Sequence, residues 1–218
     1  MTRDMRKSLF ITSMIFGGII FFFFGSPIID LLQQTKISKA IIKKKVEKKG
    51  STSTYKTGQV IDKYKGVKVY YNGSFKNVFG RNISEDGYNL GLKYQCVEFA
   101  KRFFYEAYNH KMPDSYGNAK DFFDHKLAHG QFNKARGMIQ YYNGKNEKPR
   151  KDDLVILGST PGNIYGNCII LTRVGQDFVE FIQQNPGNGN PSRAQYKLLN
   201  NKGVWLIDSA DVLGFLRI

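Results

Sequence analysis

Tyr94-Gln95-Cys96-Val97-Glu98-Phe99-Ala100-Lys101-Arg102 sets one of the two cysteines of this 218-residue chain at the head of a stretch with helical period. Cys96, Val97, Ala100, Phe103, Phe104 and Ala107 recur at intervals of three and four, the spacing of an amphipathic helix. Cys96 therefore falls at a helix N-terminus, where unpaired backbone N–H groups and the helix dipole stabilise a thiolate. A nucleophilic cysteine is built in this way. The same period places Cys96 and Ala100 on the buried side of the helix and leaves Lys101 to solvent.

Outward from this helix the pattern changes. Gly66-Val67-Lys68-Val69-Tyr70-Tyr71 alternates as a strand and ends at Asn72-Gly73, a strong turn signal. A second helix is expected from Asn118 to about Ala128, with Phe122 and Phe123 as its core contacts. Lys148-Pro149-Arg150-Lys151-Asp152-Asp153 then turns the chain into the apolar run Leu154-Val155-Ile156-Leu157. Cys168 to Leu171 and Asp177 to Gln183 read as strands paired through Val174-Gly175-Gln176, and Gly203 to Ile207 and Val212 to Leu216 supply closing elements. Helices first and strands afterwards indicate an α+β fold with an antiparallel sheet.

The words Tyr94 to Arg102 resemble the nucleophile motif of the CHAP family, thiol amidohydrolases that cleave amide bonds in peptidoglycan peptides or in glutathionylspermidine. The resemblance covers Lys68 to Ile218. It implies a papain-like fold with N-terminal helices packed on an antiparallel sheet, Cys96 in the nucleophile position, and no cofactor or metal. In that family a histidine opens a later strand, in a Gly-His word followed by apolar residues. Here that word is Gly166-Asn167-Cys168-Ile169-Ile170-Leu171, so Asn167 stands in the histidine position. Gln183 matches the third position, which orients the histidine. Relatives also carry Pro-x-x-Gly-Asp before the strand that starts at Leu154, and Asp152 takes the glycine's place.

The substitution has a chemical consequence. An asparagine amide can hydrogen-bond a thiol or a carbonyl, but it cannot take up a proton near neutral pH or return one to a departing amine. A histidine partner can bring a thiol from a pKa of about 8.5 down to about 3 to 4, whereas a helix terminus alone contributes roughly 0.3 to 2 kcal/mol. His110 lies about 21 Å along the helix axis from Cys96 and is out of reach. His125 and His129, in or after the second expected helix, read as solvent-facing. Cys168 follows Asn167 on a strand, so it is expected on the opposite face as a core residue. Two readings from different classes stay open: a weakened thiol amidohydrolase, or a catalytically inactive pseudoenzyme that binds a wall peptide or protein partner through the old cleft.

The N-terminal region carries a separate expectation. Residues 1–8 are basic, and residues 9–29 are long and apolar enough to cross a bilayer core as a helix. No clear small-x-small site follows, so an uncleaved single-pass anchor is preferred to a signal peptide. Residues 30–57 form a basic linker, with Lys36, Lys39, Lys43, Lys44, Lys45, Lys48 and Lys49, and the CHAP-like domain is expected over 58–218. A count of positive charge alone would keep that domain in the cytoplasm, while the resemblance implies the non-cytoplasmic side, where it is expected here. The formal charge of +15 calls for an anionic neighbour, either lipid headgroups or a cell-wall polymer. No recognition motif for nucleic acid accompanies it. Two cysteines without regular spacing exclude a disulfide scaffold and a zinc ribbon.

Overall fold

The computed structural model describes residues 55–187 and 190–218. The expected anchor at 9–29 and most of the basic linker lie outside the described residues. No helix among the described residues is long and apolar enough to cross a membrane.

Two short hairpins come first. Strands β1 (Val60–Tyr64) and β2 (Val67–Tyr70) pair antiparallel, as do β3 (Arg81–Ile83) and β4 (Asn89–Leu92). Helix α1 (Cys96–Tyr108) follows and ends where Asn109 adopts φ 50° and donates its N–H to the carbonyls of Phe104 and Tyr105. The remaining strands are β5 (Gln131–Asn133), β6 (Met138–Tyr142), β7 (Leu154–Leu157), β8 (Asn167–Val174), β9 (Phe178–Ile182), β10 (Arg193–Asn201), β11 (Val204–Ile207) and β12 (Val212–Arg217). They form one sheet in the order β11-β10-β9-β8-β7-β12-β6-β5, with every neighbouring pair antiparallel. The fold is a large antiparallel sheet with a single α-helix among the described residues, where several N-terminal helices were expected.

Strand parity decides where the site can form. In β7 all four residues are buried, and they divide by alternation. Leu154 and Ile156 join Cys168, Ile170 and Ile182 in a core cluster with Phe99, Ala100, Phe103 and Phe104 of α1. Val155 and Leu157 join Ile169, Leu171, Val179, Phe181 and Phe215 in a second cluster. The two clusters occupy opposite faces of the central strands, and α1 belongs to the face that carries Cys168.

Lys101, expected in solvent, is fully buried. Its Nζ donates to the carbonyls of Asn89 and Ser115 and lies 4.8 Å from the centre of the Tyr88 ring. Helical period identifies the apolar side of a helix, but here β4 lies against α1 as well, so the polar side is also covered. Gly91 of β4 shows how close the two run: a Cβ built there would come within 3.3 Å of the Glu98 Cα. Burial, reinforced by the charges of Arg136 and Arg81, pushes the Lys101 pKa down to about 8.

The second helix, expected over Asn118 to Ala128, is only a 3-10 turn, Ala119–Phe122. It starts with a capping box between Asn118 and Asp121 and stops at Phe123, whose backbone is extended. The reason lies in the sheet. Gln140 accepts from the Asp124 N–H at 2.9 Å and donates to the Asp124 carbonyl at 2.8 Å, while Asn133 donates to the Phe122 carbonyl at 3.1 Å. Side chains of β5 and β6 thus take the backbone groups that further helical turns would have paired.

The turn before β7 keeps its shape without glycine. Asp152 adopts φ 73°, which glycine would accept freely. Its carboxylate accepts from Tyr64 Oη and Lys65 Nζ, both at 2.7 Å. Asp153 beside it is buried and held by Arg217 of β12 through two hydrogen bonds of 2.7 Å.

Candidate active site

Cys96 is the first residue of α1, and Gln95, with extended backbone, makes no side-chain cap. The first-turn N–H groups therefore remain available to the thiol. Tyr94 adopts φ 67°, a strained value for a residue with a side chain, and its ring packs against Tyr70 and Phe79 with centroids 5.5 Å apart in each case. This packing fixes the bend that turns the chain into the helix.

Behind Cys96 lies a buried polar network. The Glu98 carboxylate accepts from Arg102 Nε at 2.6 Å, Asn82 Nδ2 at 2.8 Å and Gln184 Nε2 at 2.7 Å. Gln184 also donates to the Gln95 carbonyl at 3.0 Å and accepts the Tyr70 N–H at 2.7 Å. Asn185 donates to Gln95 Oε1 at 2.8 Å, and Gln95 Nε2 donates to the Asn77 carbonyl at 2.7 Å. The residues just after β9 thus clamp the start of α1. Asn185 opens a loop expected at the edge of the cleft and lines it; the sequence reading missed Gln184 and Arg136, although consecutive amides at the end of an apolar strand were a visible signal for the first.

A cleft of about 860 Å³ opens over Cys96. One wall is the segment Ser115 to Ala119, held by buried Arg136, whose guanidinium donates to the carbonyls of Asp114, Tyr116 and Asp121 at 2.7, 3.2 and 3.3 Å. The opposite walls come from Phe75 to Arg81 and from Pro161 to Asn167. Val78, Tyr116, Ile164 and Tyr165 present exposed apolar surface there. Lys76 and Arg81 are charged residues of its lining, and no carboxylate among the described residues accompanies them.

Asn167 lines this cleft, as Cys96 does, but its amide is turned elsewhere. Nδ2 donates to Gln183 Oε1 at 3.0 Å, and Oδ1 accepts the Cys168 N–H at 2.9 Å. Gln183 in turn donates to the Pro191 carbonyl at 3.1 Å. The pair borders a smaller cavity of about 310 Å³ on its far side, with Leu157, Phe181 and Tyr196. Asn167, the first residue of β8, thus borders both cavities.

Cys168 is core, as its position on β8 suggested, but it is not remote from Cys96. Cys96 packs against the core cluster to which Cys168 belongs. α1 covers the face that carries Cys168, Ile170 and Ile182. The neighbouring Cys168 thiol, with help from the backbone N–H groups of Cys168, Val97 and Cys96, outweighs burial and holds the Cys96 thiol below its ordinary range. Burial and the neighbouring Cys96 thiol push Cys168 well up. Of the two thiols, Cys96 is therefore the more readily ionised.

None of the three histidines lines the cleft. His110 Nε2 lies 2.9 Å from the Arg136 carbonyl, His129 Nδ1 accepts the Tyr142 N–H at 3.1 Å, and His125 meets Phe123 edge to face. The site holds a nucleophile, N–H donors and amides, and no group that can shuttle a proton at neutral pH.

Comparison with known proteins places this geometry in context. No family model matches the chain. The chain is similar to trypanothione synthetase of Crithidia fasciculata, with 32% identity over 150 residues that make up 66% of this chain and 23% of the relative. It thus spans about a quarter of that protein's length. Among solved structures it is similar to Ly7917, at 17% identity over 57% of this chain and 53% of the other, with a TM-score of 0.38. It is also similar to the wild-type endolysin LysIME-EF1, at 20% identity over 66% and 60%, with a TM-score of 0.36. Likeness at that level adds nothing to the chemistry of the site.

Proposed function

We propose that residues 58–218 form a CHAP-type thiol amidohydrolase domain that retains its nucleophile and has lost its base, and that acts weakly on amide bonds of peptidoglycan peptides or glutathionyl-polyamine compounds. The observation that carries this reading is Cys96, at the uncapped start of α1 in the lining of a wide cleft, with its thiol held below its ordinary pKa. The sequence similarity to trypanothione synthetase supports the same chemistry. Lys76 and Arg81, unopposed by carboxylates in the cleft, suit a substrate with an anionic end. An uncleaved anchor at 9–29 and the lysine-rich linker hold the domain at a membrane beside anionic lipid or wall polymer, on the non-cytoplasmic side.

A second reading has its own support. The Asn167 amide is committed to Gln183 and to the Cys168 N–H, and no histidine borders the cleft. Both facts favour a pseudoenzyme that uses the cleft to bind a wall peptide or a protein partner.

The test is Asn167→His in the full-length chain, assayed on peptidoglycan fragments and on glutathionylspermidine. A restored base raises the amidase rate by at least about 10², and Cys96→Ala removes the gain. No gain on either substrate, with the cleft still binding one of them, leaves the pseudoenzyme reading.

A further inference from the structure

Among the described residues every arginine but one is engaged by the protein itself. Arg102 meets Glu98, Arg150 meets Glu147, Arg173 meets Glu180, Arg193 meets Asp62 and Arg217 meets Asp153. Arg136 donates to the carbonyls of the cleft wall. Arg81, in β3, forms no ion pair and donates no side-chain hydrogen bond among the described residues, yet it lines the cleft. Its position is set by an aromatic ring instead. The guanidinium lies over Tyr116, on the facing wall, 5.3 Å from the ring centroid. Tyr116 is itself tied down, since its N–H donates to the Asp114 carboxylate at 2.9 Å and its carbonyl accepts from Arg136 at 3.2 Å.

A guanidinium stacked on a ring keeps its N–H groups in its own plane, at the edge, where they can still donate. Two parallel N–H groups of that fork match the two oxygens of a carboxylate. Lys76, also in the lining, offers only a point charge, 5.7 Å from the centre of the Phe75 ring. We propose that Arg81, positioned by Tyr116, is the specificity-determining residue of the cleft and anchors the carboxylate of a short peptide that ends in a free acid. The proposal rests on the cleft over Cys96 being the ligand site, and it holds whether the cleft cleaves or only binds.

The backbone limits the length of that peptide. Arg81 pairs with Leu92 across the β3–β4 hairpin, and the Leu92 carbonyl accepts the Gln95 N–H at 3.1 Å in a tight turn that ends one residue before Cys96. Cross-strand partners lie about 5.5 Å apart at most, the ends of such a turn less than about 7 Å and successive residues about 3.8 Å, so the Arg81 and Cys96 Cα atoms are within about 16 Å. Both side chains line the same cleft. At about 3.4 Å per extended residue, a peptide of roughly two to four residues bridges them.

The test reads charge recognition at Cys96 without any amide cleavage. Bromoacetyl peptides of one to four glycines, each as the free acid and as the C-terminal amide, would be allowed to alkylate the full-length chain. The Cys96 sulfur bonds to the bromoacetyl carbon and bromide leaves. The rate at Cys96 is followed by peptide mass mapping, and the acid-to-amide ratio cancels any general change in thiol reactivity. Wild type should prefer the acid by about three- to tenfold, the range expected between an exposed ion pair and a charge-assisted hydrogen bond. The preference should peak at two to four glycines and shrink in about 1 M salt. Arg81 is exposed, so its replacement spares the core. Arg81→Gln should bring the ratio to that of the same reagents with free cysteine in solution, and Arg81→Lys should recover only part. Equal acid and amide rates at every length in wild type, or a preference that survives Arg81→Gln, overturns the anchor while the labelled Cys96 leaves the cleft reading intact. A Cys96 that no reagent labels overturns both.

Discussion

Replacement of Glu98 by glutamine should destabilise the domain severely and loosen the start of α1. Glu98 is 1% exposed and Arg102 4%, so both charges are withdrawn from water and each depends on the other. Glu98→Gln keeps the volume but leaves the buried Arg102 guanidinium only the half-exposed Glu106 carboxylate, 4.0 Å away, as counter-charge. It also turns an NH2 group towards donors now supplied by Arg102, Asn82 and Gln184. Removal of one partner of a buried pair costs about 3–5 kcal/mol. For a domain of this size, each kcal/mol moves the melting temperature by about 2–4 °C, so the midpoint should fall by about 6–20 °C. Thermal and urea unfolding followed by circular dichroism would measure it. The double variant Glu98→Leu/Arg102→Leu should recover much of the loss, because both buried charges are removed together. A Glu98→Gln variant within about 1 kcal/mol of wild type, or a double variant no better than the single, would refute this account of the network.

Three further outcomes follow from the same geometry. Cys168→Val removes the neighbouring thiol that lowers the Cys96 pKa most, so the pH midpoint of Cys96 alkylation by iodoacetamide should move up from its wild-type value, and an unchanged midpoint would mean that the backbone alone favours the ionised form. Lys101 has its folded-state pKa lowered to about 8, below the ordinary value of about 10.4 for an unfolded chain, so the unfolded state binds more protons between those values and stability should rise with pH across that window. Lys101→Met should abolish that rise in a comparison of melting temperatures at pH 8 and pH 10, and a parallel rise in both proteins would contradict it. Gly166→Ala places a Cβ 2.3 Å from the Leu157 carbonyl oxygen at φ 73°, which should cost about 2 kcal/mol or more and slow any chemistry that depends on Asn167, as read from denaturant midpoints.

The strands and the nucleophile helix were legible because local periodicity decides them: alternation marks Val67 to Tyr70 and the apolar runs at Leu154 and Ile169, and three-four spacing marks Cys96 to Ala107. The turn at Asp152 was legible as a place where glycine is replaced, but not the means. Tyr64 and Lys65, far away in sequence, hold its carboxylate. Lys101 and the 118–128 segment were misread for one reason. In both, a partner distant in sequence took over groups that local pattern assigns to solvent or to helix, β4 in the first case and Gln140 in the second. The link between the two cysteines was hidden similarly. Alternation along β8 marks Cys168 as core, but only the placement of α1 against that face brings Cys96 onto the cluster that holds Cys168.

The central claim, a nucleophile position without its base, is tested most directly by the rate of Cys96 alkylation against pH in wild type and in Asn167→His. This measurement needs no choice of substrate. The account predicts a wild-type midpoint below that of an ordinary thiol and a further downward displacement when histidine occupies position 167. Identical profiles for the two proteins would contradict it, since position 167 would then not communicate with the Cys96 thiol.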